Sequence, residues 1–337
     1  MRSFRTAALS LLTAAVMALA SCGSNNKKAD TTSAEGVKAA GFRVDGSKLI
    51  DANGNEFVMR GVNHAHCWYR QNDDAALKAI SETGSNTVRL VLADGDQWQK
   101  DTTDSVKALI EKCRSLKLIA VLEVHDATGK DSTESLEKAC DFWISVKDAL
   151  KDNEDVAILN IANEWMASSS ASKWAYGYTS VIPRLREAGI KNTIMVDSPG
   201  WGQSGTAVTD SGVQVFESDP DRNTMFSVHM YGTSGKNSKT IENNLKAISE
   251  RSLCMIVGEF GYKHSDGDVD EAYILKYCKE NNIGCLGWSW KGNSGGVEYL
   301  DLSEDWEGRN LTKEWGDVLV NSENGIRATS KTCSVFG

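Results

Sequence analysis

Eight short apolar runs recur along the chain, and their spacing restricts the fold more than any other feature. They start near Phe57 (FVMRGVNH), Thr87 (TVRLVL), Lys117 (KLIAVLEVHD), Val156 (VAILNIANEW), Thr193 (TIMVDSPGWG), Met225 (MFSVHMYG), Cys254 (CMIVGEFG) and Gly284 (GCLGWSWKG). Successive starts lie 30, 30, 39, 37, 32, 29 and 30 residues apart. One strand plus one crossover helix needs about 30 residues. The segments between runs carry helical stripes: Val106, Leu109, Ile110 and Cys113; Leu136, Cys140, Trp143 and Leu150; Ile241, Leu245 and Ile248. Gly189 follows Leu185 and Arg186 as a helix C-cap. Runs that are apolar throughout, not alternating, fit strands buried on both faces. Eight such units predict an α/β fold, a closed (β/α)8 TIM barrel. No Gly-rich phosphate loop follows the first strand, which argues against a dinucleotide-binding sheet.

The segment before the first unit, FRVDGSKLIDANGNEF, turns at Asp45-Gly46 and Asn53-Gly54 and predicts a short N-terminal β-hairpin across the barrel bottom. Residues 1–21 read as a signal peptide, with Arg2 and Arg5 ahead of an apolar stretch from Ala7 to Ala20. Leu19-Ala20-Ser21-Cys22 resembles the lipobox of bacterial lipoproteins, in which the Cys carries lipid. Residues 22–40 form a flexible tether of small and polar residues with one Val and no aromatic. Residues 41–337 are expected to make the one folded domain. Removal of the leader leaves 35 basic against 46 acidic residues, a net charge of −11. Without a basic stripe interleaved with aromatics, nucleic acid is not an expected partner. Seven Cys remain after Cys22, none in C-x-x-C spacing, and disulfides and buried thiols both stay open.

Polar residues gather at the C-terminal ends of the runs, where a barrel keeps its chemistry. Strand one ends His64-Ala65-His66, with Trp68 beyond; strand two carries Arg89; strand three ends His125-Asp126. Strand four ends Asn163-Glu164-Trp165, strand five Asp197-Ser198 followed by Trp201, and strand six His229-Met230-Tyr231. Strand seven ends at Glu259 and strand eight at Trp288-Ser289-Trp290. A carboxylate at the end of a buried strand is costly unless paired or needed. Glu164 and Glu259, facing each other across the mouth, make the pair that glycoside hydrolysis requires. Sugars offer flat C–H faces that indole rings cover. Trp68, Trp165, Trp201, Trp288 and Trp290 all fall at this rim, whereas Trp143 sits on a helical core stripe.

These residues together resemble family 5 glycoside hydrolases, of the clan that carries its two catalytic Glu on strands four and seven. VMRGVNHAHCWY, LIAVLEVHDATG, NIANEW, VDSPGWGQ, FSVHMY, GDVDEA and WSWKGN are similar to the bacterial endo-β-1,4-mannanase subfamily, from about Gly41 to the C-terminus. The resemblance implies Glu164 as acid/base and Glu259 as nucleophile of a retaining mechanism. It implies that Arg89 and Tyr231 hold the nucleophile and that Asn163 bonds the sugar 2-hydroxyl. His125 and His229 would line the cleavage subsite and Trp290 floor it, with His66, Trp68 and Trp201 at flanking subsites. The substrate would be mannan, glucomannan or galactomannan; the preference for mannose comes from the resemblance alone, and a cellulase on the same scaffold is the alternative.

Two other classes compete. His64-x-His66 on strand one is similar to the metal-dependent amidohydrolases, but their pattern needs a His ending strand five and an Asp ending strand eight. This chain has Asp197-Ser198 and Trp290-Lys291 there. A barrel that binds glycan without cleaving it would not need both carboxylates. The expectations are therefore an enzyme without cofactor or metal, acting as a monomer, exported and lipid-anchored to a bacterial membrane through Cys22.

Overall fold

The computed structural model describes residues 40–337, so the expected leader, Cys22 and all but the last residue of the tether lie outside the described residues. The chain opens with an antiparallel hairpin, β1 (Arg43–Asp45) and β2 (Lys48–Ile50). Phe42 N–H donates to the Glu154 carbonyl at 3.0 Å and Val44 N–H to Asn223 Oδ1 at 3.0 Å. Both acceptors lie just ahead of barrel strands, so the hairpin covers the N-terminal end of the barrel, as expected. Phe42 and Phe57, ring centroids 5.5 Å apart, are buried beneath it.

The eight apolar runs form eight parallel strands: β3 (Arg60–His64), β4 (Thr87–Leu92), β5 (Ile119–Val124), β6 (Ala157–Asn160), β7 (Ile194–Asp197), β8 (Thr224–Met230), β9 (Met255–Phe260) and, after a small hairpin of β10 (Lys263–His264) and β11 (Gly267–Asp268), β12 (Gly284–Gly287). They close in the order β12-β3-β4-β5-β6-β7-β8-β9. Every residue of these eight strands is buried. That explains the continuous apolar runs, since helices cover the outside and side chains fill the inside. On β4, Val88, Leu90 and Leu92 join the main apolar core, while Arg89 meets partners from strands across the barrel.

The helical stripes pack as their spacing predicts. Val106, Leu109, Ile110 and Cys113 are the buried face of a helix over Thr103–Ser115, whose start is fixed by a Thr102–Ser105 capping box. Ile241, Leu245 and Ile248 are the buried face of Ser238–Ser249. The stripe from Leu136 is shorter than expected. Its helix ends at Ser145, and Leu150 belongs to a separate turn, Lys147–Leu150.

One register shift positions the chemistry. Between β8 and β9 the pairing runs Val228↔Val257 and then His229↔Glu259, so Gly258 is an extra residue on β9. The shift brings Glu259 level with His229. The C-terminal segment supports the same end of the barrel: Trp315 is buried against Phe260 and donates its indole N–H to the Trp288 carbonyl at 2.8 Å. The seven Cys of the described residues are free thiols, all buried, which settles the choice left open between pairing and burial. No helix among the described residues is long and apolar enough to cross a membrane.

Candidate active site

A cavity of about 490 Å³ opens at the C-terminal ends of the strands. His125, Asn163, Glu164, Tyr231, Glu259 and Trp288 line its inner part. One carboxylate oxygen of Glu164, one of Glu259 and a ring nitrogen of His229 all lie within 4.8 Å of one another.

Arg89 organises the floor. It is fully buried and uses all five guanidinium N–H groups. Nε donates to Asn160 Oδ1 at 2.9 Å; one terminal nitrogen donates to Asn63 Oδ1 at 3.0 Å and Glu259 Oε1 at 2.7 Å; the other donates to Asn163 Oδ1 at 2.7 Å and Asp197 Oδ2 at 3.3 Å. Burial alone would ease the proton off this guanidinium. The surrounding Glu123, Asp197, Glu259 and Glu164 overturn that and hold the charge firmly. Tyr231 Oη donates to the other Glu259 oxygen at 2.9 Å. The Tyr231 phenol, buried and facing two carboxylates, is pushed well above its ordinary range and stays a donor. Glu259 is thus held from two sides in one orientation.

Glu164 is held differently. It sits one turn past the end of β6 with φ of 42°, in the left-handed region that non-glycine residues seldom enter. Its backbone N–H donates to Asp197 Oδ2 at 3.0 Å. Its Oε1 meets His229 Nδ1 at 2.8 Å. Burial pulls the His229 proton affinity down, but Glu259, Asp197 and Glu164 together raise its pKa to about 9. His229 therefore donates to Glu164 at neutral pH.

His125 Nδ1 bonds Glu123 Oε1 at 2.9 Å. Burial acts against its protonation, and the Glu123 carboxylate outweighs it, so its pKa rises. The His125 ring stacks on Trp288, centroids 5.8 Å apart and planes at 21°. Asn163 Nδ2 donates to Thr128 Oγ1 at 2.9 Å, which fixes the amide that Arg89 grips from its other end. Glu164, His229 and Glu259 are close enough to share a cation. Their facing atoms are already committed to one another and to Arg89 and Tyr231, so the set is assembled as two carboxylates, Glu259 held by Arg89 and Tyr231 and Glu164 by His229.

The structure brings Glu164, Glu259, Arg89, His125, Asn163, His229 and Tyr231 together, and separates three others from the inner cavity. Trp290, expected as the floor, is fully buried outside it; its indole N–H donates to the Trp306 carbonyl at 3.0 Å. Trp288 lines the cavity instead. β12 stops at Gly287, ahead of both indoles, so strand alternation could not tell the two apart. His66 is bound inward. Asp73 holds His66 Nδ1 at 2.7 Å and His64 Nε2 at 2.8 Å, and Asp101 Oδ1 lies 3.2 Å from His66 Nε2. His66 also opens a helical turn instead of continuing the strand, so the two imidazoles do not form the side-by-side pair of a metal site. Trp68 lines a neighbouring recess that shares Trp288 with the cavity, and meets Trp98 edge-on at 5.2 Å.

Trp201 lies on the outer wall, half exposed, packed over Gly129. Gln203, Thr233, His264 and Asp266 share this wall and were not anticipated. Asp266 accepts from Gly232 N–H, Thr233 N–H and Gln203 Nε2, tying the β10–β11 hairpin to the loops after β8 and β7. Only their position in loops, beyond any periodic pattern, distinguished them in the sequence. Glu123 and Asp197 were also missed as site groups, although each breaks an apolar strand.

Comparison with known proteins agrees with this geometry. A family model described as cellulase (glycosyl hydrolase family 5) matches residues 50–294. The chain is 52% identical over 297 residues to a mannan endo-1,4-beta-mannosidase of Salipaludibacillus agaradhaerens, covering 88% of this chain and 96% of that protein. It superposes on the β-mannanase from Thermomonospora fusca with a TM-score of 0.84 at 41% identity, over 89% of this chain and all of that one. The mannohexaose complex of that enzyme matches over the same shares with a TM-score of 0.83 at 40% identity. A match spanning residues 50–294, on a barrel that closes strand to strand as this one does, makes the chain a member of glycosyl hydrolase family 5.

Proposed function

We infer that the protein is an endo-β-1,4-mannanase that cleaves internal bonds of mannan, glucomannan or galactomannan with retention at the anomeric carbon. The observation that carries the chemistry is the pair of carboxylates within 4.8 Å, each held by different partners. Retaining glycosidases hold their carboxyl groups about 5–5.5 Å apart, and inverting ones leave room for a water at about 6.5–9.5 Å. Glu259, anchored by Arg89 and Tyr231, attacks the anomeric carbon. Glu164 passes its proton to the departing glycosidic oxygen. Water then enters, Glu164 takes its proton, and the bond to Glu259 breaks. Asn163 lines the cavity, which supports its assignment to the sugar 2-hydroxyl, and the stacked Trp288 and His125 rings support a flat wall for the sugar. The mannose preference rests on the relatives named as mannanases, which match over most of their length.

Hydrolysis of galactomannan, glucomannan, carboxymethylcellulose and xylan, with Glu164→Ala and Glu259→Ala alongside, tests this reading. Mannan cleavage lost in both variants supports it. Cleavage of cellulose alone would reject the substrate and keep the pair, whereas full activity in either variant would reject the mechanism.

The N-terminal sequence supports export and anchoring through a lipid on Cys22, with the tether letting the barrel reach polymer near the cell surface. Cys22→Ala should release active protein into the soluble fraction, and retention in membranes would refute the anchor. The protein is taken to act as a monomer, which a dimeric mass by light scattering would contradict.

A further inference from the structure

We propose that Asp197 is a positioning residue for the acid/base: from β7 it pins the backbone of Glu164 and sits against the far side of the His229 ring, whose Nδ1 meets the Glu164 carboxylate. This rests on Glu164 being the acid/base. Asp197 ends β7 and is fully buried. Its Oδ1 accepts from Asn160 Nδ2 at 3.1 Å, which fixes the carboxylate plane. Its Oδ2 accepts from the Glu164 N–H at 3.0 Å and an Arg89 nitrogen at 3.3 Å, and lies 3.4 Å from His229 Nε2, an ion contact outside hydrogen-bond geometry.

Two of these contacts lead to the same carboxylate. The left-handed conformation of Glu164 turns its amide away from the strand ladder, and a buried N–H without an acceptor is costly. Asp197 supplies the acceptor, so the strained conformation that points the Glu164 side chain into the cavity is stabilised from β7. The second route runs through the ring. His229 lies between Asp197 on its Nε2 side and Glu164 and Glu259 Oε2, at 2.8 and 3.5 Å, on its Nδ1 side. A carboxylate at Nε2 favours a proton there while Nδ1–H stays on Glu164. The donor matters most in the second half of the reaction, when Glu164 is an anion receiving the proton of water. The other groups facing Asp197 and His229 are Arg89 and the Tyr178 hydroxyl, and neither titrates in the neutral range.

The near-isosteric Asp197→Asn variant keeps an oxygen for the Glu164 N–H and removes the charge. Without that charge His229 gives up its proton earlier. The alkaline limb of the kcat profile on mannohexaose should therefore move to lower pH by about one unit, with kcat down about tenfold or more. A purely structural role would scale the profile and leave the limb in place, and an unmoved limb overturns the proposal. On an aryl β-mannobioside with a dinitrophenol leaving group, which needs no acid, Asp197→Asn added to Glu164→Ala should cost nothing further. A further loss there would mean that Asp197 acts through Arg89 and the nucleophile instead. If Asp197→Asn does not fold, the wild-type protein labelled with nitrogen-15 at histidine decides. Both nitrogens of His229 protonated at pH 7 supports the proposal, and a neutral ring refutes it. If Glu164→Ala retains mannohexaose hydrolysis, the acid/base assignment itself falls, an outcome separate from any result with Asp197.

Discussion

Arg89 shows how one side chain can set a whole site. An isolated buried guanidinium is not tolerated, and this one is accepted because each of its N–H groups has a partner and Glu123, Asp197 and Glu259 surround it. Glu259 depends on this arrangement from one side and on Tyr231 from the other. A hydrogen bond to a charged group is worth about 1.5–3 kcal/mol. Tyr231→Phe removes the phenolic donor and leaves the ring. We expect kcat/KM on mannan to fall about tenfold to a hundredfold, since roughly 1.4 kcal/mol is a factor of ten, with thermal stability little changed. Unaltered kcat/KM in steady-state assays would show that Arg89 alone holds the carboxylate. Glu123 plays a comparable part for His125, whose Nδ1 it meets at 2.9 Å.

At the scale of elements, the decisive feature is the extra residue in β9. Gly258 lets the strand slip by one position against β8 and sets Glu259 opposite His229. A methyl group there would lie 2.1 Å from Ser227 Oγ, so that hydroxyl must turn away, and 3.3 Å from Ser227 Cβ, which β8 holds in place. Gly258→Ala should therefore cost about 1–3 kcal/mol of stability and, by displacing Glu259, reduce kcat by more than it changes KM. A urea midpoint and kinetics equal to the wild type would show that β9 absorbs the methyl group without moving. The same strand ends explain the outer wall, where the β10–β11 hairpin and the loop after β8 meet at Asp266. Loops of this kind carry no period, so the residues they bring to the cavity are invisible to pattern analysis.

At the scale of the molecule, the cluster of buried charges couples stability to pH. The folded pKa of His229, about 9, lies above the ordinary histidine value near 6.5. Its contribution is therefore complete below about pH 6.5 and is lost as pH rises through about 9. His125 and His66 are raised by Glu123 and by Asp101 and Asp73 against the effect of burial, and act in the same direction. Asp73, Asp101 and Asp219 run the other way. Burial resists their ionisation, but their His or Arg partners lower their pKa, so the stability they add is lost as pH falls through the folded values. The thermal midpoint should peak on the weakly acidic to neutral side and decline between pH 7 and 9.5. A midpoint that rises across that interval in calorimetry would refute the assignment of a charged His229.

What the sequence determined by itself is periodic: eight strands, the helices between them, the closed barrel, and the polar residues that interrupt each run at the end where barrels react. Burial on both faces forces each strand to be apolar throughout, so a Glu or an Arg inside one stands out without any structure. What the tertiary structure alone decided is which interruptions meet. Trp288 and Trp290 are alike in sequence, yet one lines the cavity and the other is buried under Trp306, because the strand ends between its last glycine and the first indole. His66 faces Asp73 and Asp101 instead of a sugar for the same reason: a helical turn begins where a strand would have continued. Asp197 reaches Glu164, Arg89 and His229 only because the barrel closes, and the distances among four strand ends are a property of that closure, not of any local pattern.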